Sequence, residues 1–470
     1  MRRTEPSPQP LWEQFEAYVA QVMAVERVPA VSVAFARDGE IVYARGFGWQ
    51  DRERGISADA ATVYGVASVT KSFTAACILQ LEEAGKLSVT DPVRRHLPGF
   101  RVSDPGATER ITIHHLLSHT SGLPPLPVRR GGQLMAHPQR PARPIPQTVA
   151  DLLAYLAEEP YELLAPPGET FSYSNEGYAL LGAIIERVSG EPFASYVERH
   201  ILDPLGMGRS SADAAVVAGF PSVAQLYVRP EDNPDEVVAD PGWPEWGPYM
   251  ASGALRSNVL DLVRYLSWHL SGGTADGRRL LAPERIRRMR TPVIEYLPGF
   301  HYAYGLQVRS LAQGATAVGH GGNQKGISAF AGYVPEHNVC GAVLANLQRV
   351  PCADLWEAGI RAMLGLSPAE AGEAGRALGA PPADVDWRAY TGVFASDEGM
   401  ELRIRPAAGG PGLLAETEGV QVPVRWLGPD YFEIQVRARR EPFQFLRNPD
   451  GTLGAVRYHL RVLRKIGEHR

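Results

Sequence analysis

The chain of 470 residues, 44% hydrophobic and 21% charged, has the balance of a soluble globular protein and the length for more than one domain. A net charge of −5 excludes nucleic acid and anionic membrane as electrostatically favoured partners. The three cysteines, Cys77, Cys340 and Cys352, are too scattered for a disulfide framework or a metal site, and no apolar run reaches the roughly 18 residues of a membrane span.

In chain order, the opening Met1-Arg2-Arg3-Thr4-Glu5-Pro6 lacks the apolar segment of a secretion signal, so a cytoplasmic location is expected. Residues 11–28 are predicted as an amphipathic helix, with Leu11, Phe15, Val19, Val22 and Met23 at helical spacing. Residues 31–36 and 41–44 read as strands joined by an Asp38-Gly39 hairpin turn. The run 66–81 reads as a buried helix opening at Val66-Ala67-Ser68, with Gly85 as its C-cap. Residues 111–123 begin as a capped helix. Its histidines, His114, His115 and His119, have no carboxylate at ligand spacing and are read as packing or capping groups rather than metal ligands.

Residues 124–147 are rich in Pro, Arg and Gly and are expected to be a lid or mobile segment bordering a substrate site. Further helices are predicted at 149–156, 179–188, 192–201, 254–270 (starting near Ser257 and Asn258), 283–290 and 354–364, and strands at 304–308, 318–320, 328–334 and 340–345. The expected fold is α+β, an antiparallel sheet flanked by helices with an inserted helical block, over residues 1–366. Residues 367–382 read as a linker. Short strands at 402–404, 413–415, 422–424, 431–434, 443–446 and 456–459 then predict a separate antiparallel barrel over 383–470.

Within the buried helix, Ser68-Val69-Thr70-Lys71 places an amine one turn from a hydroxyl, within side-chain reach. A random Ser-x-x-Lys is most often a helix start followed by a surface lysine. Here the chain has only four lysines (Lys71, Lys86, Lys325 and Lys465), and one of them heads an apolar helix next to a serine. Burial there would favour the neutral amine, and the helix N-terminus would favour an oxyanion.

Two later motifs, Tyr173-Ser174-Asn175 and His320-Gly321-Gly322, complete a set that resembles the serine β-lactamase and penicillin-binding-protein superfamily. The branch it is most similar to holds class C β-lactamases, D-alanyl-D-alanine carboxypeptidases, D-aminopeptidases and related esterases. The phrases Leu116-Leu117-Ser118-His119-Thr120-Ser121-Gly122-Leu123 and Pro167-Gly168-Glu169-Thr170-Phe171 resemble it too, and the likeness covers residues 12–365. The C-terminal part resembles the lipocalin-like domain appended to some of its peptidases.

The resemblance implies Ser68 as nucleophile, with Lys71 and Tyr173 sharing the proton transfer. Which of the two is the base stays open, since both free groups titrate near about pH 10 and each needs the other, or burial, to act near neutrality. It further implies Asn175 as a group orienting Lys71 and binding the substrate amide, and the backbone N–H groups of Ser68 and Asn323 as the oxyanion hole. Gly321 and Gly322 fit a strand that another backbone approaches closely.

One position departs from the pattern. His320 stands where penicillin-recognising members carry the lysine of Lys-Thr-Gly, and imidazole, with a pKa near about 6.5, is mostly neutral at pH 7. Peptidase and ester hydrolase therefore rank above β-lactamase. A binding protein that keeps the fold without turnover is the rival class, and loss of Lys71 or Tyr173 would be its mark. No cofactor is expected. The expected partners are a small-molecule or peptide substrate and further copies of the chain in a homo-oligomer.

Overall fold

The computed structural model describes residues 10–467 except 125–128, 131–132, 135–142, 159–160, 231–232, 241, 312–313, 373–379, 397–398 and 408–411. Most of the expected lid at 124–147 and residues 373–379 of the expected linker at 367–382 lie outside the described residues. The chain divides into two compact units. One comprises Met1–Ser88, Leu181–Thr291 and Ala303–Ala374; the other comprises Val89–Leu180, Pro292–Tyr302 and Gly375–Arg470.

The first unit is built on an antiparallel sheet. Its strands are β1 (Ala30–Arg37), β2 (Glu40–Asp51), β3 (Ile56–Ser57), β4 (Gln307–Ser310), β5 (Thr316–Gln324), β6 (Ile327–Val334) and β7 (Val339–Ala345). They lie in the order β4-β5-β6-β7-β1-β2-β3, so the two ends of the unit's sequence meet where β1 pairs with β7. β6 and β7 are buried at every residue, as their unbroken apolar runs require of strands covered on both faces.

Helices α1 (Trp12–Glu26) and α4 (Cys352–Met363) share a core with this sheet through Phe15, Val19, Phe35, Val343 and Trp356. Gly359 has no alternative there, because a Cβ would lie 1.9 Å from the ring of Phe35. Helix α3 (Val259–Leu270) packs against β7 and β1. Its Asn258 cap accepts from Asp261 N–H. The helix predicted over 254–270, with its start expected near Ser257 and Asn258, opens at that cap.

Helix α2 (Thr70–Glu83) starts later than its hydrophobic pattern suggests. A 3₁₀ turn, Ala67–Val69, precedes it. At its other end Gly85 has φ 69°, and the N–H groups of Gly85 and Lys86 donate to Glu82 and Leu81 carbonyls, a Schellman close of the predicted kind.

The second unit joins a helical block to a closed barrel. The barrel strands are β8 (Gly392–Ala395), β9 (Glu401–Pro406), β10 (Leu413–Thr417), β11 (Val420–Gly428), β12 (Tyr431–Val436), β13 (Arg439–Arg447), β14 (Leu453–Tyr458) and β15 (Arg461–Gly467). β8 and β15, absent from the sequence reading, pair with one another and close it. Alternate residues point inward, and Phe394, Ile404, Phe432, Phe443, Phe445 and Leu463 fill the interior.

The barrel shares a second core with the helical block. Leu427 and Tyr431 pack with Phe171, Tyr173, Tyr296 and Tyr302. The buried Arg457 donates to Tyr296 carbonyl at 2.9 Å, and desolvation pulls its pKa down to about 10. Among the described residues no helix is long and apolar enough to cross a membrane.

Candidate functional site

In the first unit, Ser68 sits in the 3₁₀ turn between Val66 and α2. Val66 N–H donates to Leu255 carbonyl, and Thr70 Oγ1 accepts from Leu255 N–H at 3.2 Å. Thr74 Oγ1 donates to Ala251 carbonyl at 2.7 Å, so the start of α2 is fastened to the 250–255 segment by the threonines on one face. Ala67, the residue before Ser68, has φ 45°, a left-handed conformation that L side chains disfavour.

Lys71 has no exposed surface. Its Nζ donates to Ser68 Oγ at 3.2 Å and to Ser252 carbonyl at 2.8 Å. The carbonyl offsets the desolvation of the amine and aims it at a half-buried hydroxyl. Proton passage from that hydroxyl toward the amine would leave Ser68 a nucleophile. A Cβ on Gly305, at φ 66°, would stand 2.6 Å from Lys71 carbonyl oxygen, so a neighbouring loop can close on this turn only with glycine.

His320, Gly321, Gly322 and Asn323 lie on β5 in the same unit. His320 is buried, with Nδ1 donating to Gly321 carbonyl at 2.5 Å. Burial first, then the positive charge of Lys71, push its pKa down to about 3 against the opposing pull of that carbonyl. The ring is neutral at physiological pH and cannot replace the lysine cation of the related motif.

The two glycines differ. A Cβ on Gly322 would lie 2.1 Å from Val66 carbonyl oxygen, so the close backbone approach here is made by the chain itself, as β5 meets the Ser68 turn. A Cβ on Gly321 would meet nothing nearer than 3.8 Å. Asn323 is exposed on β5, and its Oδ1 accepts from Arg349 N–H at 3.0 Å.

Tyr173 and Asn175 belong to the second unit. Asn175 opens the helix Asn175–Ser189. Ser174 Oγ, ahead of it, accepts from Gly177 N–H at 3.0 Å as a cap. Ser174 N–H donates to His119 Nδ1 at 3.1 Å. The His119 ring lies 4.2 Å from that of Tyr173, Tyr302 stands edge-on at 6.2 Å, and the Arg461 guanidinium covers the Tyr173 ring at 4.6 Å. The helix Ile113–Leu117 is capped by Thr112 and His115, and His119 packs among the aromatic rings of Tyr173, Tyr178 and Tyr302.

Ser252, Gly305, Tyr302 and Arg461 were not singled out from the sequence. Ser252 contributes only a carbonyl, which any residue carries, and no spacing links Arg461 to Tyr173. For a metal, Glu418, Glu441 and His459 bring their ligand atoms within 4.8 Å of one another. Arg439 already pairs with Glu418 at 2.8 Å and Glu441 at 2.9 Å and supplies the positive charge.

A family model described as Beta-lactamase matches residues 15–361. Penicillin-binding protein 4 of Amycolatopsis lactamdurans is 28% identical over 71% of this chain and 84% of its own. Protein flp of Staphylococcus aureus (strain MW2) is 31% identical over 42% of this chain, which spans 37% of that relative's length. The octameric penicillin-binding protein homologue from Pyrococcus abyssi superposes with TM-score 0.67 and 28% identity, over 96% of this chain and all of that one.

Proposed function

The chain belongs to the Beta-lactamase family, and on that premise we propose that it is a serine hydrolase forming an acyl-enzyme on Ser68. The observation that carries the reading is the buried Lys71 amine, 3.2 Å from Ser68 Oγ and held by Ser252 carbonyl. Ser68 Oγ attacks the carbonyl carbon of an amide or ester while its proton passes to the Tyr173 and Lys71 pair. The oxyanion is met by the N–H groups of Ser68 and Asn323, where one such donor is worth about 10²–10³ in rate. Collapse expels the amine or alcohol with that proton, and water then releases the acid. Asn175 orients Lys71 and the substrate amide.

The neutral His320 favours peptide and simple ester substrates, including those with D-residues, over β-lactams, whose carboxylate it gives no cation. A homo-oligomer is the proposed state, in keeping with the octameric relative, and light scattering tests it.

The experiment is covalent labelling by a fluorophosphonate together with turnover of a nitrophenyl ester, D- and L-aminoacyl anilides and a chromogenic cephalosporin. Labelling is expected in the unaltered protein and lost in Ser68→Ala, with ester or anilide turned over faster than cephalosporin. No labelling and no turnover would make the protein a binding member of the fold.

A further inference from the structure

The last barrel hairpin ends on the candidate proton acceptor. Tyr458 pairs with Arg461 across a turn of His459 and Leu460, whose φ angles are 46° and 63°. Such a turn usually takes Asn-Gly, and L side chains of other kinds disfavour it. Its surroundings hold it nonetheless. His459 Nε2 lies 3.2 Å from the Glu441 carboxylate, its ring sits 4.0 Å from that of Tyr458, and Leu460 packs on the cluster containing Phe171, Tyr173 and Tyr302. The next residue, Arg461, lays its guanidinium over the Tyr173 ring.

The other groups facing this ring come from three places. His119, in the loop after the helix Ile113–Leu117, keeps Nδ1 as acceptor for Ser174 N–H. Tyr302 stands edge-on from the 292–302 segment, and Tyr178 lies beyond His119 on the helix Asn175–Ser189. Lys71 joins through the proposed mechanism. At the root of the hairpin, Glu441 is paired with Arg439 at 2.9 Å. Arg461 is a fixed cation on the ring face. A guanidinium there attracts the π-system and attracts the phenolate more strongly than the phenol.

We infer that Arg461 is a positioning residue for Tyr173, through which the barrel holds the phenol in place and favours its deprotonated form. The inference rests on the reading of Tyr173 as a proton acceptor. Arg461 makes and breaks no bond; the proton still moves from Ser68 Oγ to the Tyr173 and Lys71 pair.

The test is the second-order rate of Ser68 labelling by an uncharged fluorophosphonate across pH, in the full chain and in Arg461→Met and Arg461→Lys. Methionine keeps an unbranched stem over the ring without the charge, and the probe has no carboxylate for an arginine to bind. In R461M the acid limb should move about one pH unit upward, a loss of about tenfold along that limb, with the high-pH plateau kept within about twofold. R461K should return the limb toward its original place. A rate lowered alike at every pH would make the residue structural and overturn the inference. So would an unmoved limb with a raised KM only for carboxylate-bearing substrates, which would make Arg461 a substrate contact. Absence of labelling in the unaltered protein would overturn the Ser68 reading and this inference with it; labelling with identical limbs would overturn this inference alone.

Discussion

At Lys71 an amine has been taken out of water, and the carbonyl of Ser252 and the hydroxyl of Ser68 take the place of its hydration shell. The geometry suits a compact amine and not a planar guanidinium. Lys71→Arg is therefore expected to lose about 10²–10⁴ in kcat/KM, as is Tyr173→Phe, measured with a nitrophenyl ester. His320 behaves differently. Its pKa of about 3 places protonation below the range in which the enzyme would work, so His320→Gln should leave both limbs of the pH–rate profile where they were. A limb lost near neutrality in that variant would show that the imidazole titrates during turnover.

Among the elements, β5 and the Ser68 turn depend on each other. β5 carries Gly322 into contact with Val66 carbonyl, and the left-handed Ala67 lies between that carbonyl and Ser68. Gly322→Ala would drive a methyl to 2.1 Å from backbone oxygen, a clash that no rotamer relieves. The strand must then retreat from the turn, with an expected cost of about 1–3 kcal/mol in stability and loss of fluorophosphonate labelling. Gly321→Ala meets only ordinary contacts at 3.8 Å and should fold with an unchanged thermal midpoint, so any fall in its activity reports substrate approach. The sequence reading treated these glycines as a pair; only the position of Val66 separates them.

For the molecule as a whole, the barrel is part of the unit that holds Tyr173. Truncation after residue 382 would strip Leu427, Tyr431 and Leu460 from the Phe171, Tyr173, Tyr296 and Tyr302 cluster and remove Arg457 from Tyr296 carbonyl. The shortened chain is expected to lose labelling and to expose apolar surface, read by dye binding; full labelling would show that the barrel is dispensable to Tyr173. The barrel also carries an acid-sensitive carboxylate. Burial would raise the Glu441 pKa, but His459, Arg439 and the Tyr458 hydroxyl outweigh it and hold the group at about 2, below its usual 4.5. Its stabilisation is complete above about pH 4.5 and is lost as pH falls toward about 2, because the unfolded chain takes up the proton first. Glu441→Gln should be less stable at neutral pH, and its thermal midpoint should fall less between pH 5 and pH 3 than that of the unaltered protein.

The α+β class, the buried helix behind Ser68, the Gly85 close and most barrel strands were legible in the sequence. Each depends on periodicity or on a turn residue whose effect reaches only a few positions. The pairing of Ser68 with Lys71 was legible for the same reason, since one helical turn separates them. The Ser252 carbonyl beside Lys71, the contact of Gly322 with Val66, and Arg461 over Tyr173 were decided by the tertiary structure alone. They join groups up to hundreds of residues apart, through backbone atoms or through arginines that the sequence has in abundance, and only the packed chain selects which of them meet.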